Sequence, residues 1–115
     1  MANIGGNIYG RIQTKQAVKN EIGEAELTWA DAYRHLGWLD LQSGDSERNN
    51  HKTKLEESTH VFLCDFHKGI YALASQDTRM IIKGFVYDVL LIDNPMEMEE
   101  QLEIYLRKVG AWDGK

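Results

Sequence analysis

The chain of 115 residues has the length of one ordinary domain, and its composition, 43% hydrophobic and 27% charged, is typical of a globular protein and argues against disorder throughout. Its formal net charge of -5 gives no long-range attraction to phosphate, because sequence-independent affinity for nucleic acid depends on Lys and Arg. Any contact with DNA is therefore expected to be local or weak.

Cysteine content and hydropathy bound the cellular context. The single cysteine, Cys64, cannot form an intrachain disulfide, and no apolar run approaches the roughly 18 residues expected of a membrane span. The first seven residues lack the basic and then apolar layout of a secretion signal. These features predict a protein suited to a reducing cytoplasm.

The start of the chain is rich in glycine. Residues 1–10 contain Ile4, Ile8 and Tyr9 as isolated apolar side chains, which is too little apolar surface for a stable element. We predict a flexible arm here that becomes ordered only by docking, with these three side chains at an interface. A short strand is expected over 11–18, followed by a polar turn.

The window from Leu27 to Leu41 supports two interpretations. Its odd positions alternate as in a strand, while Leu27, Ala30 and Arg34 also fit the spacing of a helix. We favour one long strand, because two Trp and a Tyr pack better on a sheet, and we predict a bulge or corner at Gly37.

A long polar segment follows. Residues 42–57 contain one large apolar side chain, Leu55, which cannot offset the entropy of ordering the segment against the domain's own core. A loop of this length without structure of its own is usually functional or disordered. The segment is either a tolerated surface excursion or a loop that becomes ordered against a partner.

A strand with an extended continuation is expected next. Residues 58–66 alternate as a strand, with Phe62 and Cys64 on one face. After a corner at 67–69, residues 70–74 are expected to continue extended.

The densest apolar stretch, residues 78–92, predicts an antiparallel hairpin around Lys83-Gly84. Gly84 can adopt the positive φ that a tight turn needs, and β-branched and aromatic residues flank it. Large apolar side chains occupy both faces, which indicates burial on both sides or a place in the wall of a small barrel. The core residues that we predict are Trp29, Phe62, Ile82, Tyr87 and Val89.

The last element is ambiguous. Leu102, Ile104 and Leu106 alternate as in a strand, yet Leu102, Leu106 and Val109 also match a helical stripe. Periodicity alone does not choose between the two.

No constellation typical of catalysis or metal binding emerges. His60, Cys64 and His67 have a spacing that suggests a metal site, but strand alternation points His67 to the opposite face, and no second Cys or His pair completes a tetrahedron. Cys64 and His60 lie too far apart along one strand to act as a nucleophile pair, and Cys64 is expected to be a small buried hydrophobe. We predict no catalytic residue, no metal ligand and no cofactor.

A series of landmarks over residues 8–110 resembles a known family through its order and spacing. In chain order the landmarks are Gly10-Arg11-Ile12, Gly23-Glu24, Thr28-Trp29, Gly37 to Leu41 with Ser43-Gly44-Asp45, Glu57 to His60, Arg79 to Val89, Ile92 to Pro95, and Leu102 to Leu106. Together they resemble the head-closure (stopper) and head-tail joining proteins of long-tailed bacteriophages.

The resemblance implies an all-β or mainly β fold: a single small antiparallel β-barrel over residues 1–115, with a long inserted loop at 42–57 and a strand over Leu102 to Leu106. It implies a structural virion protein of the phage neck, assembled in the host cytoplasm, that closes the DNA-filled head, retains the DNA and joins the tail without catalysis. The implied partners are copies of itself in a ring, a portal or adaptor ring above, a tail or tail-completion protein below, and packaged DNA bound without sequence specificity, with no membrane.

Charge and loop content fit this role. A net negative charge suits a channel that holds or passes DNA, since basic walls would slow transit. The arm and the loop are then the parts free to order against neighbours in a ring. The loop residues that we expect at the channel or at an interface are Gln42, Ser43, Asp45, Glu47, Arg48, Asn49, Asn50, His51, Lys52 and Lys54.

Three alternatives stay open. A tail-terminator or tail-completion protein is also a small ring-forming β protein. A small cytoplasmic adaptor would bind one host protein through the loop or an exposed Trp112. An enzyme would require a pocket that joins Asp65, His67 and Asp88.

Overall fold

The computed structural model describes residues 3–41 and 58–115, and this part of the chain is mainly antiparallel sheet. The strands are β1 (Ile8–Lys19), β2 (Ala25–Leu41), β3 (His60–Asp65), β4 (Thr78–Ile82), β5 (Phe85–Asp93) and β6 (Gln101–Ala111). The connections contain one helical turn, α1 (Lys68–Tyr71), and two 3-10 turns, Ser75–Asp77 and Pro95–Glu97. The predicted mainly β fold is confirmed. Within the described ranges, no helix is long and apolar enough to cross a membrane.

The sheet closes on itself. Neighbouring strands pair in the order β1-β2-β3-β6-β5-β4, and β4 pairs back onto β1 to complete a closed barrel. Every pairing is antiparallel. In this order the β1–β2 pair lies across the barrel from the β5–β6 pair, with β3 between them on one side and β4 on the other.

The hairpin predicted around Lys83-Gly84 is present between β4 and β5. The φ angles of Lys83 and Gly84 are 50° and 80°, and two positive values are what a two-residue turn needs to match the twist of its strands. A two-residue turn also changes the parity of the inward positions. The buried inward residues of the two strands are Met80, Ile82, Tyr87 and Val89.

An apolar cluster fills the barrel interior. Its buried members are Ile12, Phe62, Cys64, Ile70, Met80, Ile82, Tyr87, Val89, Leu102, Ile104 and Leu106. Four of the five predicted core residues, Phe62, Ile82, Tyr87 and Val89, belong to it. The strand interpretation of the last element is also correct, because β6 contributes alternate side chains to this cluster and pairs with both β3 and β5.

Trp29 lies outside this cluster, contrary to the prediction. The pairing of β1 with β2 shifts register between Ile12 and Gln13, which leaves Ala32 of β2 without an opposing residue. Such a bulge reverses the alternation of side chains along the strand, so that Trp29 faces outward. The long strand that we favoured is present, but its bulge is at Ala32 and not at Gly37.

Gly37 instead permits close packing at the point where β2 changes partners. β2 pairs with β1 up to Gly37 and with β3 from Gly37 to Leu41. A Cβ atom on Gly37 would lie 2.5 Å from the carbonyl oxygen of Leu63 and 2.5 Å from the Phe62 ring. Only glycine fits here without displacement of the core.

The prediction that residues 70–74 are extended is wrong in its first part, because α1 forms there. His67 caps this turn, because its Nδ1 accepts the backbone N–H of Ile70 at 3.2 Å. The turn carries the Ile70 side chain into the core, where it is fully buried. Burial of one large apolar residue thus outweighs the weak local preference for extension.

We expect Gly37→Ala to lower the free energy of unfolding by about 1–3 kcal/mol, because the added methyl group overpacks the core against Phe62. Urea denaturation measures the change. The matched control is Gly110→Ala on β6, where a Cβ atom meets nothing within 4 Å, and we expect an effect within about 0.5 kcal/mol. Equal losses in the two variants would contradict this account of Gly37.

Candidate interaction surfaces

A row of polar side chains crosses the outer wall of the barrel. Cross-strand register places one residue from each of five strands side by side, namely Asp31, Gln13, Arg79, Asp88 and Arg107. The Gln13 side-chain amide donates to Asp31 Oδ1 at 2.9 Å, and its oxygen accepts from Arg79 Nε at 2.8 Å. Arg107 Nη2 donates to Asp88 Oδ2 at 3.0 Å. This polar ladder links strands β2, β1, β4, β5 and β6 from outside the core.

Arg79 is the most enclosed charge of the ladder. Burial lowers the pKa of Arg79, an effect opposed by the nearby carboxylates of Asp113 and Asp88. Its guanidinium carbon lies 4.6 Å from the centroid of the Trp29 ring. Its Nη2 atom is buried and has no hydrogen-bond partner in the described residues. The electron-rich face of Trp29 therefore contributes to stabilising this charge.

We expect Gln13→Leu to lower the free energy of unfolding by about 1–3 kcal/mol, because it removes two hydrogen bonds and leaves Asp31 and Arg79 without a shared partner. Thermal or urea unfolding measures the change. The control is Gln16→Leu, three residues further along β1 and exposed, with an expected change within about 0.5 kcal/mol. A neutral Gln13→Leu variant would show that the ladder does not stabilise the fold.

The hairpin of β1 and β2 projects beyond its neighbours. β4 pairs with β1 only from Arg11 to Thr14, and β3 pairs with β2 only from Gly37 to Leu41. Residues 15–29, called the ribbon below, therefore form a two-stranded extension in which the strands pair with each other. A two-stranded ribbon is marginally stable by itself, so its exposed side chains are candidates for contact with another molecule.

The ribbon has one apolar face and one polar face. Register pairs Lys15 with Trp29 and Ala17 with Leu27, so these four side chains share the outer face that also carries the polar ladder. Leu27 is 70% exposed, and the Lys15 ammonium lies 5.3 Å from the centroid of Trp29. The opposite face contains Gln16, Thr28, Val18 and Glu26.

The loop between β5 and β6, residues 94–100, is the second exposed feature. Met96 is 88% exposed and Met98 is 56% exposed, and the carboxylates of Glu97, Glu99 and Glu100 lie among them. Met96, Glu97 and Glu99 have φ values of 55°, 53° and 56°, a region that side chains other than glycine adopt at a cost of about 1–3 kcal/mol each.

Asn94 holds this loop in its shape. The backbone N–H of Glu97 donates to the Asn94 carbonyl oxygen at 2.9 Å, and that of Glu99 donates to Asn94 Oδ1 at 3.1 Å. Asn94 itself is buried. The loop is therefore a defined structure that presents methionine and glutamate side chains outward.

The N-terminal arm is held on its own barrel. The Asp65 carboxylate accepts the backbone N–H of Ile4 at 2.7 Å and that of Gly5 at 3.4 Å. The Trp38 indole donates to the Ile4 carbonyl oxygen at 2.8 Å. The expectation that the arm becomes ordered only by docking against neighbours is therefore wrong for Ile4, Gly5 and Asn7, because their backbone groups find partners in their own chain.

The predicted arm is also shorter than residues 1–10, since β1 begins at Ile8. Ile8 packs against the core cluster. Tyr9 is exposed on the barrel surface, with the Arg34 guanidinium 3.8 Å from the centroid of its ring. The contact of Ile4, Ile8 and Tyr9 with other molecules stays a prediction.

The three side chains that an active site would have to join, Asp65, His67 and Asp88, do not converge. The Asp65 carboxylate holds the arm, His67 caps α1, and Asp88 belongs to the polar ladder. Burial, with a contribution from Asp65, raises the pKa of the Cys64 thiol to about 12, so this side chain is a poor nucleophile. In residues 3–41 and 58–115, no group of three or more His, Cys, Asp or Glu side chains could hold a metal ion.

Two of the contact surfaces predicted from the sequence were the loop from Gln42 to Lys54 and an exposed Trp112. The loop residues from Gln42 to Lys54 lie outside the described residues. Trp112 is half-buried rather than a free tail, because its backbone N–H donates to the Gly84 carbonyl oxygen at 2.8 Å and the Arg11 guanidinium carbon lies 4.9 Å from the centroid of its ring. The ribbon and the β5–β6 loop were not predicted as surfaces, although Leu27, Met96 and Met98 next to polar turns are the signal that points to them.

His60 provides a test of burial at the edge of the core. Its ring packs edge-on against Tyr87 at 5.2 Å, and burial together with the Lys108 charge lowers the pKa of His60 below its ordinary value of 6.5. The unfolded chain therefore takes up a proton near pH 6.5 that the folded chain resists. The free energy of unfolding should fall as the pH drops below this value.

We expect His60→Gln to reduce this loss of stability between about pH 7.5 and 5.5, because the variant has no imidazole to protonate on unfolding. Urea unfolding at both pH values, with wild type and variant compared at each, measures the difference in slope. Identical slopes would mean that His60 titrates alike in both states.

Known structures contain the same fold. The solution structure of protein SF1141 from Shigella flexneri 2a matches with a TM-score of 0.69 and 20% sequence identity, covering 93% of this chain and 96% of that one. At this identity the likeness shows the fold alone. No curated protein matches the sequence.

The family comparison goes further. A family model described as "Phage head completion protein" matches residues 10–109, from β1 to β6 and therefore across the whole barrel. The chain belongs to this family of phage head completion proteins. The family is structural, and membership supports a role in phage head completion as a virion component that contacts other head or tail proteins.

Proposed function

We propose that this protein acts in the phage neck, where a ring of copies closes the DNA-filled head, retains the DNA and joins the head to the tail. The observation that carries the proposal is the family match over residues 10–109. A structural role of this kind needs a stable barrel and exposed surfaces for neighbours. The closed sheet, the ribbon and the β5–β6 loop are consistent with both needs.

The charge distribution is consistent with a protein that contacts DNA without binding it tightly. The formal net charge is -5, and the polar ladder pairs its arginines with carboxylates or an amide of the same chain. A chain of net negative charge, in which Arg11 and Arg107 already face carboxylates, offers few counterion-releasing contacts to phosphate. A channel lined by such subunits would retain DNA by obstruction rather than by affinity.

We assign the obstruction, or the contact with an adjoining ring, to the segment 42–57. Leu41 and His60, which bracket it closely, pair with each other at the end of the β2–β3 ladder. The segment therefore leaves and re-enters the barrel at nearly one point, and the strand pairing does not depend on its length. Polar and charged side chains predominate from Gln42 to Lys54, a composition that suits contact with a neighbour or water better than packing in a core.

We expect deletion of residues 46–54 to leave the domain folded, with little change in its urea unfolding midpoint, while particles carrying the variant lose packaged DNA or fail to attach tails. Nuclease sensitivity of the DNA and electron microscopy of the particles measure the two functions. The control replaces the same residues by glycine and serine at equal length, which separates loop length from side-chain chemistry. An unfolded deletion variant would mean that the segment is structural.

Electron microscopy of the same particles also tests where the ring lies in the particle. A ring beneath the portal or adaptor supports the proposal. A ring at the upper end of the tail tube would instead indicate a tail-terminator protein, and absence of the chain from purified particles would indicate a cytoplasmic adaptor.

A further inference from the structure

The ribbon's outer face needs a partner with a particular chemistry. Its apolar part consists of Ala17, Leu27 and Trp29, and the ammonium groups of Lys15 and Lys19 flank it. Glu26 lies on the opposite face with Val18, so it does not neutralise these lysines on the outer side. A matching surface would combine flexible apolar side chains with carboxylates.

The β5–β6 loop has that combination on the same chain. Met96 and Met98 are exposed, and methionine adapts its shape to the surface it meets. Glu97, Glu99 and Glu100 supply the carboxylates. None of these glutamates forms an ion pair within the described part of the chain, where the two ion pairs are Arg11 with Asp31 and Arg107 with Asp88.

The topology puts the two surfaces at the same end of the barrel. β1 and β5 both pair antiparallel with β4, so they run in the same direction. The ribbon continues β1 and the loop follows β5, so both emerge from one end. They are nevertheless separate surfaces, because the ribbon's Trp29 borders the outer wall near Leu90, whereas the loop lies beyond Asp93, where β5 ends.

We propose that copies of this chain join side by side, with the outer face of the ribbon of one copy covered by the β5–β6 loop of the next. The inference rests on the proposed ring and names its contact. Leu27 and Trp29 pack against Met96 and Met98 of the neighbour, and Lys15 and Lys19 face its glutamates.

The proposed ring, and not the placement of the two surfaces, distinguishes this contact from a two-fold dimer. In that ring the ribbon of each copy meets one neighbour, and its β5–β6 loop meets the other. Such a contact is heterologous, and repetition about an axis closes it into a ring. Because both surfaces lie at one end, neighbouring barrels stand at the same level instead of stacking end to end.

A cysteine pair tests the contact in assembled particles. Leu27→Cys and Met98→Cys in one chain should form intermolecular disulfides on mild oxidation, which would give a series of multimer bands on non-reducing gels. Cys64 does not interfere, since it is buried and its pKa is raised to about 12. The matched control combines Val18→Cys with Met98→Cys, because Val18 is also exposed but lies on the other ribbon face.

Charge exchange tests the same contact independently. We expect Lys15→Glu with Lys19→Glu to reduce incorporation of the chain into particles by about tenfold or more, since glutamates then face glutamates. Glu97→Lys with Glu99→Lys should have the same effect. The chain with all four changes restores opposite charges and should recover incorporation, which a defect in folding would not do.

Each result has a distinct meaning. The contact is supported if the Leu27/Met98 cysteine pair gives more multimer bands than the Val18/Met98 control and the fourfold charge variant recovers incorporation into particles. Particles that contain the chain but give no more multimer bands than the Val18/Met98 control overturn this contact and leave the proposed function intact. Particles that lack the wild-type chain overturn the proposed function, and the contact with it.

Discussion

A one-residue bulge decides which side chains of the longest strand face the core. Opposite the step from Ile12 to Gln13, Ala32 has no partner in β1. Without this extra residue, Asp31 and Trp29 would point inward beside the apolar cluster, and Thr28 and Ala30 would point outward. Burial of Asp31 would cost several kcal/mol in an apolar interior, so the bulge and the core depend on each other.

The bulge also creates the polar ladder. Reversal of the alternation brings Asp31 level with Gln13 on the outer wall, where Gln13 in turn bonds Arg79. The core residues resist a shift of register from inside, and the ladder resists it from outside. A slip of one residue would separate the ladder partners and expose the core residues together, so the two sets of contacts specify a single register.

Unequal strand lengths explain the ribbon. β1 and β2 have 12 and 17 residues, whereas their outer neighbours β4 and β3 have 5 and 6. Long strands next to short ones must extend past the barrel, and their side chains there lack the burial that stabilises the rest. The sequence does not reveal this, because strand length along the chain says nothing about where a neighbouring strand ends.

The elements that were predicted correctly depend on local rules. Lys83-Gly84 between two apolar runs specifies a two-residue turn, and the aromatic content from Leu27 to Leu41 favours a strand. The errors depend on pairing. The place of Trp29 follows from a bulge that involves two strands, and α1 forms because Ile70 has a site in the core while His67 caps the turn. Periodicity left helix and strand both open for the last element, and only its pairing with β3 and β5 identifies it as a strand.

Closure of the barrel removes one way in which copies of this chain could join. A closed sheet has no free edge within the barrel itself, so strand addition to its wall is not available. A contact between copies would then use side chains on the wall or parts that leave it, such as the ribbon and the β5–β6 loop. The ribbon and that loop emerge together from one end, whereas β2 ends at Leu41 at the opposite end. In the proposed ring each copy meets its own neighbours and other head or tail proteins at once, and a division of surfaces between the two ends is consistent with both.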